Sequence, residues 1–399
     1  MEIKCDVLVV GAGPAGLGAA VTSSKRGLKT ILVEKSSEIG YPAKASAFTW
    51  KEVVENWGLP NRVMSQWIDS FYICSTHSER EIEIDFGSII GGTLNPHIFL
   101  QELAFQAIRH NTKISLSERV SEPIMDGDFV CGVKTEKGNE IKSKIVIDCS
   151  GPSAIIAKKV GLTPSKRDAM LGIGFEYEMF NYKVRKSNAI EFYVGKEEIV
   201  PVGYAWVFPT GKDRAGVGVS TVLNTAEKNE KKSIRYYEDR FLSKDSPIYE
   251  RVKDAQPFEI HTGAYSLKGM LNKIYSNGMM VAGDSASQAS MLVGEGIRYA
   301  MEFGKKAAET AFDAIKDNDL SEDYLKRYQE KCEEYLGETF EVAANLFDVP
   351  TDEYWEALID SFISMKESGN LELVLKYLKT DMTREEAIKL FPSFEGKYL

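Results

Sequence analysis

The chain has 399 residues, of which 43% are hydrophobic, with 49 Lys and Arg against 59 Asp and Glu and a formal net charge of −10. This length allows a large core and two or three domains. The acidic balance and the absence of a long basic run exclude the positive stripe typical of nucleic-acid-binding proteins, so we expect no nucleic-acid partner.

The cysteines, histidines and apolar runs bound the class further. Five cysteines form neither a CxxC pair nor a disulfide framework, which favours a reducing compartment. The four histidines stand alone, so we expect no metal site. There is no signal-peptide pattern at the N-terminus and no apolar run of about 18 residues. We therefore expect a soluble, cytoplasmic protein that at most lies at the membrane as a peripheral protein.

The first elements in chain order predict a strand–helix–strand unit. Residues 4–10 end in a β-branched apolar run, GAGPAG follows, and a helix of small residues ends at Gly27. Residues 30–35 form a second apolar run. This pattern is typical of the opening of a parallel sheet.

The middle of the chain predicts two kinds of structure. The run 97–110 has helical spacing, and 144–151 predicts another buried strand of the first sheet. Residues 168–224 contain strand-like runs broken by glycines and charged turns, which indicates an inserted antiparallel sheet.

The last third of the chain returns to the first sheet and then becomes helical. Residues 278–284 form a short apolar strand pattern, and a long helix is expected from about Gly296 to Ile315. Residues 320–399 are charged and helical in pattern. The domain that opens the chain is therefore expected to be discontinuous, assembled from three separated pieces of sequence.

A glycine motif follows the first strand and opens the first helix. It is GxGxxG, formed by Gly11, Gly13 and Gly16, with Pro14 and Ala15 between the last two. The first glycine permits a tight turn, the second lets a pyrophosphate approach the backbone, and the third lets helix and strand pack closely. The helix N-terminus adds free N–H groups and a partial positive charge. The alternative is a glycine-rich turn without a ligand.

An acidic residue ends the second strand. Glu34 stands there, followed by Lys35. A carboxylate at this position can accept hydrogen bonds from both hydroxyls of an adenosine ribose and repels a 2′-phosphate. The motif therefore predicts NAD or FAD and disfavours NADP.

A second fingerprint, in residues 278–308, favours FAD. A strand ends in Gly283 and Asp284, and Gly294-Glu295-Gly296 opens a helix at Ile297. The Asp284 carboxylate can accept from a ribityl hydroxyl, and the helix N–H groups can face the pyrimidine oxygen of a flavin. An ordinary strand–turn–helix is the alternative.

Four large or rigid side chains are concentrated in one short segment, GYAWVFPTG. They are Tyr204, Trp206, Phe208 and Pro209. Aromatic residues at a period of two often fill the core of a sheet. They also supply large apolar area with few rotatable bonds, which suits the wall of an apolar pocket.

These motifs together resemble a known family. From VLVVGAGPAG through EIGYP, VIDCSG, YAWVFP and AGDSA to GEGIRYA, the chain resembles FAD-dependent oxidoreductases of the p-hydroxybenzoate hydroxylase type. Within them it is similar to the geranylgeranyl reductases, above all to archaeal digeranylgeranylglycerophospholipid reductases, whose mark is YxWxFP. The resemblance implies an FAD-dependent reductase that saturates C=C bonds of a geranylgeranyl chain on a lipid, with hydride from flavin N5.

The resemblance also implies a fold and a division into domains. The fold class is α/β, with a Rossmann-like FAD-binding domain, an inserted antiparallel-sheet substrate domain and a C-terminal helical segment. The FAD-binding domain is expected in residues 1–75, 97–165 and 270–318. The substrate domain is expected in 76–96 and 166–269, and the helical region in 319–399.

The site residues implied by the resemblance fall in two groups. The YxWxFP segment lines the isoprenoid pocket, which makes Tyr204, Trp206, Phe208 and Pro209 pocket candidates. The residues expected to bind FAD are Gly11, Gly13, Pro14, Ala15, Gly16, Glu34, Lys35, Ala45, Ser46, Val120, Gly283, Asp284, Gly294, Gly296 and Ile297.

The sequence departs from the family pattern at two places. Where relatives carry Cys-Gly beside the flavin, this chain has Ala45 and Ser46, so no thiol chemistry is available there. Where relatives often carry an Arg and then Phe-Asp, it has Pro96, Phe99 and Leu100, which puts an arginine contact to the cofactor in doubt.

The sources of protons and electrons are left open by the sequence. The reaction needs a hydride and a proton on opposite carbons of one double bond, in a pocket that excludes water and oxygen. Tyr204 and a water are both candidate proton donors. The runs LGIGFE and AGVGVS lie in strand patterns, and no second dinucleotide motif follows the first. We therefore expect an external reductant, either a ferredoxin-like protein or NAD(P)H.

Two other functions are compatible with the sequence. One is a flavin-dependent monooxygenase or halogenase on the same fold, although halogenases carry WxWxIP where this chain has YAWVFP. The other is a non-catalytic protein that binds flavin or prenyl lipid, which Ala45 supports. In the C-terminal region, residues 352–365 predict a helix that covers the lipid cavity, contacts a membrane or packs on the core.

Overall fold

The protein is described here from a computed structural model, which describes residues 3–44, 47–76, 78, 80–162, 171–195, 199, 203–222, 232–267, 269–290, 292–347 and 351–399. In chain order the strands are Ile3–Val10 (β1), Thr30–Val33 (β2), Phe48–Trp50 (β3), Met64–Ile68 (β4), Ser70–Ser75 (β5), Glu81–Asp85 (β6), Gly91–Leu94 (β7), Lys113–Ser115 (β8), Val120–Asp126 (β9), Phe129–Thr135 (β10), Glu140–Asp148 (β11), Leu171–Phe180 (β12), Ala189–Val194 (β13), Gly203–Pro209 (β14), Arg214–Val222 (β15), Gln256–Ser266 (β16), Tyr275–Ser276 (β17) and Met279–Val281 (β18).

The helices lie between these strands and after them. They are Pro14–Lys25 (α1), Lys51–Asn56 (α2), Pro96–Arg109 (α3), Ile155–Lys159 (α4), Ile234–Phe241 (α5), Tyr249–Val252 (α6), Ile297–Asp317 (α7), Glu322–Leu336 (α8), Thr339–Phe347 (α9), Thr351–Glu367 (α10), Leu371–Lys379 (α11) and Arg384–Leu390 (α12). Short 3₁₀ turns occupy Asn61–Val63, Gly151–Ser153, Gly283–Ala286 and Pro392–Phe394.

The first sheet confirms the predicted strand–helix–strand opening. Its order is β17-β18-β11-β1-β2-β8, with the β9–β10 hairpin attached at β11. Strand β1 runs parallel to both β2 and β11, and β11 runs parallel to β18. Val7, Leu8 and Val9 point alternately to the two faces of the sheet and are all fully buried, so both faces of this parallel strand are covered. The carboxyl ends of β1, β2 and β18 therefore meet at one edge, where ligands of such sheets bind.

The second sheet is the inserted one. Its order is β16-β12-β15-β14-β13-β5-β6, and neighbouring strands are antiparallel except for the parallel pair β13–β5. Along β14 the side chains alternate: Trp206 and Phe208 join the main core, whereas Ala205 and Val207 pack with α5 in a second, smaller core. The α/β fold class with an antiparallel insertion is confirmed.

Strand β5 belongs to the second sheet, where Ser70–Ser75 pairs with β13 and β6. The pairing with β13 is parallel and joins segments far apart in the sequence, so local pattern does not reveal it. A third sheet has the order β3-β7-β4. The domain bounds, including residue 75 as an end of the FAD-binding part, stay a prediction.

The C-terminal region is helical, as its apolar spacing predicts. Phe362 of α10 and Phe391 and Phe394 after α12 are buried in the same core as the first sheet. The helices therefore pack against the body of the protein through an apolar face. None of the helices in the described part of the chain combines the length and apolar character needed to cross a bilayer.

Candidate active site

A cavity of about 990 Å³ lies between the first sheet, the second sheet and the C-terminal helices. At one end it is lined by the turn after β1 and the start of α1. It is also lined by Gly283, Asp284, Ala289 and residues 292–297, and by side chains of β14 and its neighbours. Trp355, Leu358, Tyr377 and Leu378 of α10 and α11 complete the lining. The predicted site residues from distant parts of the sequence therefore meet around one space.

The three glycines of the first motif each have a different steric reason. A Cβ on Gly11, whose φ is +102°, would lie 2.5 Å from the carbonyl oxygen of Cys149. A Cβ on Gly16 would overlap the carbonyl oxygen of Gly11. By contrast, nothing lies within 4 Å of a Cβ built on Gly13, which lines the cavity. Gly11 and Gly16 thus shape the turn, and Gly13 leaves room for a group that approaches the backbone.

The start of α1 provides the anion-binding end of the cavity. Pro14 and Ala15 line it, and Gly13 caps the helix without any side chain that satisfies the first N–H groups. Free N–H groups and the helix dipole at this point favour a pyrophosphate. Gly16 lies beneath the turn and does not line the cavity.

Glu34 is fixed at the end of β2. Its Oε2 accepts a hydrogen bond from the Ala12 N–H at 2.8 Å, and its Oε1 accepts one from the Ser36 N–H at 2.8 Å. Both Glu34 and Lys35 line the cavity. Because a carboxylate has about four lone-pair positions, Glu34 can still accept from ribose hydroxyls.

Asp284 is a second acidic group of the cavity lining. It lies in the 3₁₀ turn Gly283–Ala286 after β18 and is half-buried. Among the described residues its carboxylate has no hydrogen-bond partner. Burial raises the pKa of Asp284, and the positive charge of Lys44 partly offsets this rise. A partly buried carboxylate without a partner is costly unless a ligand satisfies it.

The segment before α7 is held by the aromatic wall. Gly294, Gly296 and Ile297 line the cavity, and Gly296 caps α7 without a side-chain hydrogen bond. The hydroxyl of Tyr204 donates to the carbonyl oxygen of Val293 at 2.8 Å. The N-terminus of this 21-residue helix therefore faces the cavity at a position fixed by β14.

The aromatic wall consists of side chains from two adjacent strands. Tyr204, Trp206 and Phe208 of β14 and Phe192 of β13 line the cavity, with ring centroids of Phe192 5.2 Å from Tyr204 and 5.9 Å from Phe208. Pro209 does not line it: this residue ends the strand, and its carbonyl oxygen accepts from the Thr93 hydroxyl at 2.6 Å. The wall is apolar because it consists of aromatic rings. It is rigid because Phe192 packs edge to face against two of the other rings.

The structure places some of the remaining predicted site residues in the cavity lining and does not describe others. Val120 lines the cavity, as do Pro96, Phe99 and Leu100, the residues that replace the family's arginine segment. Ala45 and Ser46 lie outside the described residues.

Sequence reasoning missed several lining residues, among them Lys44 and Tyr265. The aliphatic part of Lys44 packs over Gly263, and the hydroxyl of Tyr265 is hydrogen-bonded to that of Ser220. Trp355 lies in the run 352–365, for which covering the cavity is one of three expectations, but neither Trp355 nor Tyr377 is singled out by the sequence. Apolar spacing shows that a face is covered but not what it covers. Glycines at alternate positions of β12 and β15 were a signal that large side chains cross this sheet.

Comparisons with known proteins agree with this geometry. A family model for FAD dependent oxidoreductase matches residues 6–163, and one for the geranylgeranyl reductase catalytic domain matches residues 171–264. The chain is 34% identical over 390 residues to the digeranylgeranylglycerophospholipid reductase of Methanocaldococcus jannaschii, covering 96% of both chains. It is 32% identical over 396 residues to digeranylgeranylglycerophospholipid reductase 3 of Methanosphaera stadtmanae, covering 94% of this chain and 96% of the relative.

Solved structures show the same relationship. A geranylgeranyl bacteriochlorophyll reductase-like protein from Thermoplasma acidophilum superposes with a TM-score of 0.83 at 25% identity, covering 100% of this chain and 97% of the other. The flavin-dependent brominase Bmp2 has a TM-score of 0.76 at 16% identity, covering 98% of each chain, and shows the shared fold alone.

The residues present fit FAD. The free space at Gly13 would leave room for a pyrophosphate, and the carboxylates of Glu34 and Asp284 line the same cavity. These carboxylates would accept hydrogen bonds from an adenosine ribose and a ribityl chain. Sequence similarity over almost the whole length joins this geometry to one family. The chain belongs to the digeranylgeranylglycerophospholipid reductase family of FAD-dependent oxidoreductases.

Proposed function

We propose that this protein uses FAD to reduce C=C bonds in geranylgeranyl chains carried by a lipid. The observation that carries the proposal is the aromatic wall of Phe192, Tyr204, Trp206 and Phe208, which lines the same cavity as residues 292–297. An apolar, rigid wall suits a flexible polyprenyl chain, because hydrogen-bonding groups have little to offer a hydrocarbon. When bound and reduced, FAD supplies the hydride equivalent for such a reaction.

The protein's own contribution is placement and exclusion of water. The C-terminal helices cover the cavity with Trp355, Leu358, Tyr377 and Leu378. An isolated alkene is not polarised, so the reacting carbons must be held within a narrow range of positions. Burial of the polyprenyl chain against these side chains supports that placement and limits the access of solvent to the reacting carbons.

We propose that the proton comes from water rather than from Tyr204. The Tyr204 hydroxyl already donates a hydrogen bond to the Val293 carbonyl, so its proton is not directed at the substrate. Burial raises the pKa of Tyr204 further above its ordinary value, which makes the phenol a weaker acid. Thiol chemistry at residue 45 is excluded because this position is an alanine.

We propose an external electron donor, a ferredoxin-like protein or NAD(P)H. The runs LGIGFE and AGVGVS lie within β12 and β15, so neither is a strand–helix turn of the kind that holds a dinucleotide. Anaerobic stopped-flow reduction of the bound flavin by NADH, NADPH and reduced ferredoxin distinguishes these donors. Reduction by NADH or NADPH alone would show that a donor protein is not required.

We also propose a peripheral contact with the lipid surface. Phe180 of β12 and Phe258 and Ile260 of β16 are more than half exposed, at 52%, 55% and 53%. The same strand β16 continues to Thr262, which lines the cavity. Sedimentation with phosphatidylcholine vesicles should carry the wild-type protein down and leave more of the F258S/I260S variant in solution. A wild-type protein that stays in solution would contradict the contact.

The proposed reaction is tested anaerobically. The flavin is reduced with dithionite, a geranylgeranyl-bearing lipid is added, and product mass and flavin reoxidation are followed together. A gain of hydrogen pairs by the chain that matches the flavin reoxidised is the expected result. A flavoprotein that stays reduced and leaves the lipid unchanged would contradict the proposal.

A further inference from the structure

Four residues form a straight row across the second sheet. Trp206 of β14 pairs with Gly218 of β15, Gly218 pairs with Glu176 of β12, and Glu176 pairs with His261 of β16. Cross-strand neighbours in direct register lie on the same face of a sheet. The row therefore runs from the cavity wall at Trp206 to a buried carboxylate and imidazole that do not line the cavity.

The glycines of β15 make this row possible. A Cβ on Gly218 would lie 2.5 Å from Cζ2 of Trp206, so the indole occupies the space above this glycine. A Cβ on Gly216 would lie 2.8 Å from Cδ of Glu176. Glycine weakens a strand interior and marks a place where another group approaches closely. Here Gly216 and Gly218 form a groove on the face of the sheet, and the side chains of Trp206 and Glu176 meet in this glycine groove.

Hydrogen bonds join the members of the row. The Trp206 Nε1–H donates to Oε2 of Glu176 at 2.6 Å, and Nδ1 of His261 lies 2.7 Å from Oε1 of the same carboxylate. Glu176 is 0% exposed and His261 2%. On the far side, Nε2 of His261 is 3.3 Å from Oε1 of Glu259. Both oxygens of the buried carboxylate therefore have a hydrogen-bond partner within the row.

The neighbouring acid has a different partner. Glu178 lies two residues along β12, on the same face, and accepts a hydrogen bond from the Thr210 hydroxyl. It is buried like Glu176. It is therefore a matched comparison, because it carries the same group in the same cluster but has no hydrogen bond to the indole.

The row bears on the chemistry that the cavity must perform. This inference rests on the proposed function, in which the reduction adds one proton and one hydride to a C=C bond. As the proton adds to one carbon, positive charge builds on the other, more substituted carbon. An indole face attracts positive charge. A hydrogen bond from the indole N–H to an anion shifts electron density into the ring, and charge-assisted bonds are the stronger class.

We propose that Glu176, held by His261, is a positioning residue that orients the Trp206 indole toward the substrate and increases its attraction for positive charge on the reacting carbon. Trp206 is then the group that touches the substrate. Glu176 and His261 act through it and do not reach the cavity.

The test compares two probes on the FAD-loaded protein. One is a geranylgeranyl analogue in which a protonated tertiary amine replaces a tertiary carbon, and the other is the fully saturated chain. Affinities are measured by titration calorimetry in wild type, E176Q and E178Q. We expect E176Q to bind the amine about tenfold more weakly and the saturated chain nearly unchanged, because only the cation responds to the electron density of the ring. E178Q should change neither affinity by more than about twofold.

A double-mutant cycle makes the test specific to the indole. W206F keeps an aromatic ring but removes the N–H, so adding E176Q to W206F should cause no further loss of selectivity for the amine. If E176Q does not fold, H261Q replaces it, since it removes the group that holds the carboxylate. Equal weakening of both probes in E176Q, or an equal effect of E178Q, would overturn the inference. Failure of the wild type to bind the saturated chain would instead contradict the proposed function.

Discussion

The hydroxyl of Tyr204 donates a hydrogen bond to the Val293 carbonyl at 2.8 Å, and this bond ties the aromatic wall to the segment that starts α7. Tyr204 therefore belongs to the aromatic wall and also helps to fix the position of the N-terminus of α7 at Ile297. Substitution at this position separates a structural from an acid–base role.

Replacing Tyr204 by Phe removes the bond and keeps the ring. We expect the anaerobic single-turnover rate to fall by less than about tenfold, because a neutral hydrogen bond contributes only about 0.5–1.5 kcal/mol. FAD affinity should fall by a similar factor as the Val293 segment loosens. Loss of the proton donor would instead reduce the rate by about 10²–10⁴-fold. A loss of that size with unchanged FAD affinity would contradict our assignment of the proton to water.

Replacing Asp284 by Asn should have opposite effects on the apoprotein and on cofactor binding. The apoprotein should gain about 1 kcal/mol in free energy of unfolding, because the change removes a half-buried carboxylate that has no hydrogen-bond partner among the described residues. FAD should bind about tenfold more weakly, because the side chain that we expect to accept from the ribityl chain loses its charge.

Denaturant unfolding and flavin titration measure the two effects of D284N. The control is E55Q, which changes an exposed carboxylate that faces Lys51 at 3.4 Å on the surface. This variant should leave both quantities unchanged. A D284N apoprotein that is less stable than wild type would show that the carboxylate has a structural partner.

His261 makes the stability of the protein depend on pH. Burial by itself would lower the pKa of His261, but the hydrogen bond and charge of Glu176, with the charges of Glu259 and Glu178, outweigh this and raise it above 6.5. His97 also faces Glu259, at 3.1 Å. Because the folded state binds the proton more tightly, the stabilisation is complete below pH 6.5 and is lost as the pH rises through the higher folded pKa.

Denaturant unfolding between pH 5.5 and 9 tests this dependence. The free energy of unfolding should fall with rising pH in wild type, and H261Q should lose that part of the slope. H110Q, which changes an exposed histidine at the end of α3, serves as the control and should keep the slope. An unchanged slope in H261Q would assign the pH dependence to another group.

Replacing Gly218 by Ala should displace the Trp206 indole. The new Cβ would lie 2.5 Å from Cζ2, and overpacking of this kind costs about 1–3 kcal/mol of stability. G174A is the matched comparison, because its Cβ would lie 3.6 Å from Cη2 of the same ring, an ordinary contact. Thermal unfolding and the fluorescence of the indole should change in G218A and much less in G174A. Equal effects of G218A and G174A would show that the indole does not depend on the free space above Gly218.

The parts of the site that sequence predicted are those formed locally. Gly11, Gly13 and Gly16 act within one turn, and Glu34 follows the next strand, so their spacing alone indicates a nucleotide site. The period of two along β14 also predicts that Tyr204 and Trp206 share a face.

The parts that sequence did not predict depend on long-range pairing. Nothing local to Glu176 indicates that Trp206 reaches it, because the contact needs the register of β12, β15 and β14 together. The same holds for β5, whose parallel partner β13 is far along the chain. Gly218 gains its meaning only once the register shows which ring lies above it.

The order in which the cavity lining is translated has a consequence for assembly. The turn after β1 is made first, the aromatic wall near the middle, and Trp355, Leu358, Tyr377 and Leu378 last. The side chains that cover the cavity are therefore the last part of its lining to leave the ribosome. A nascent chain that has not yet reached α10 carries the other lining residues but not their cover.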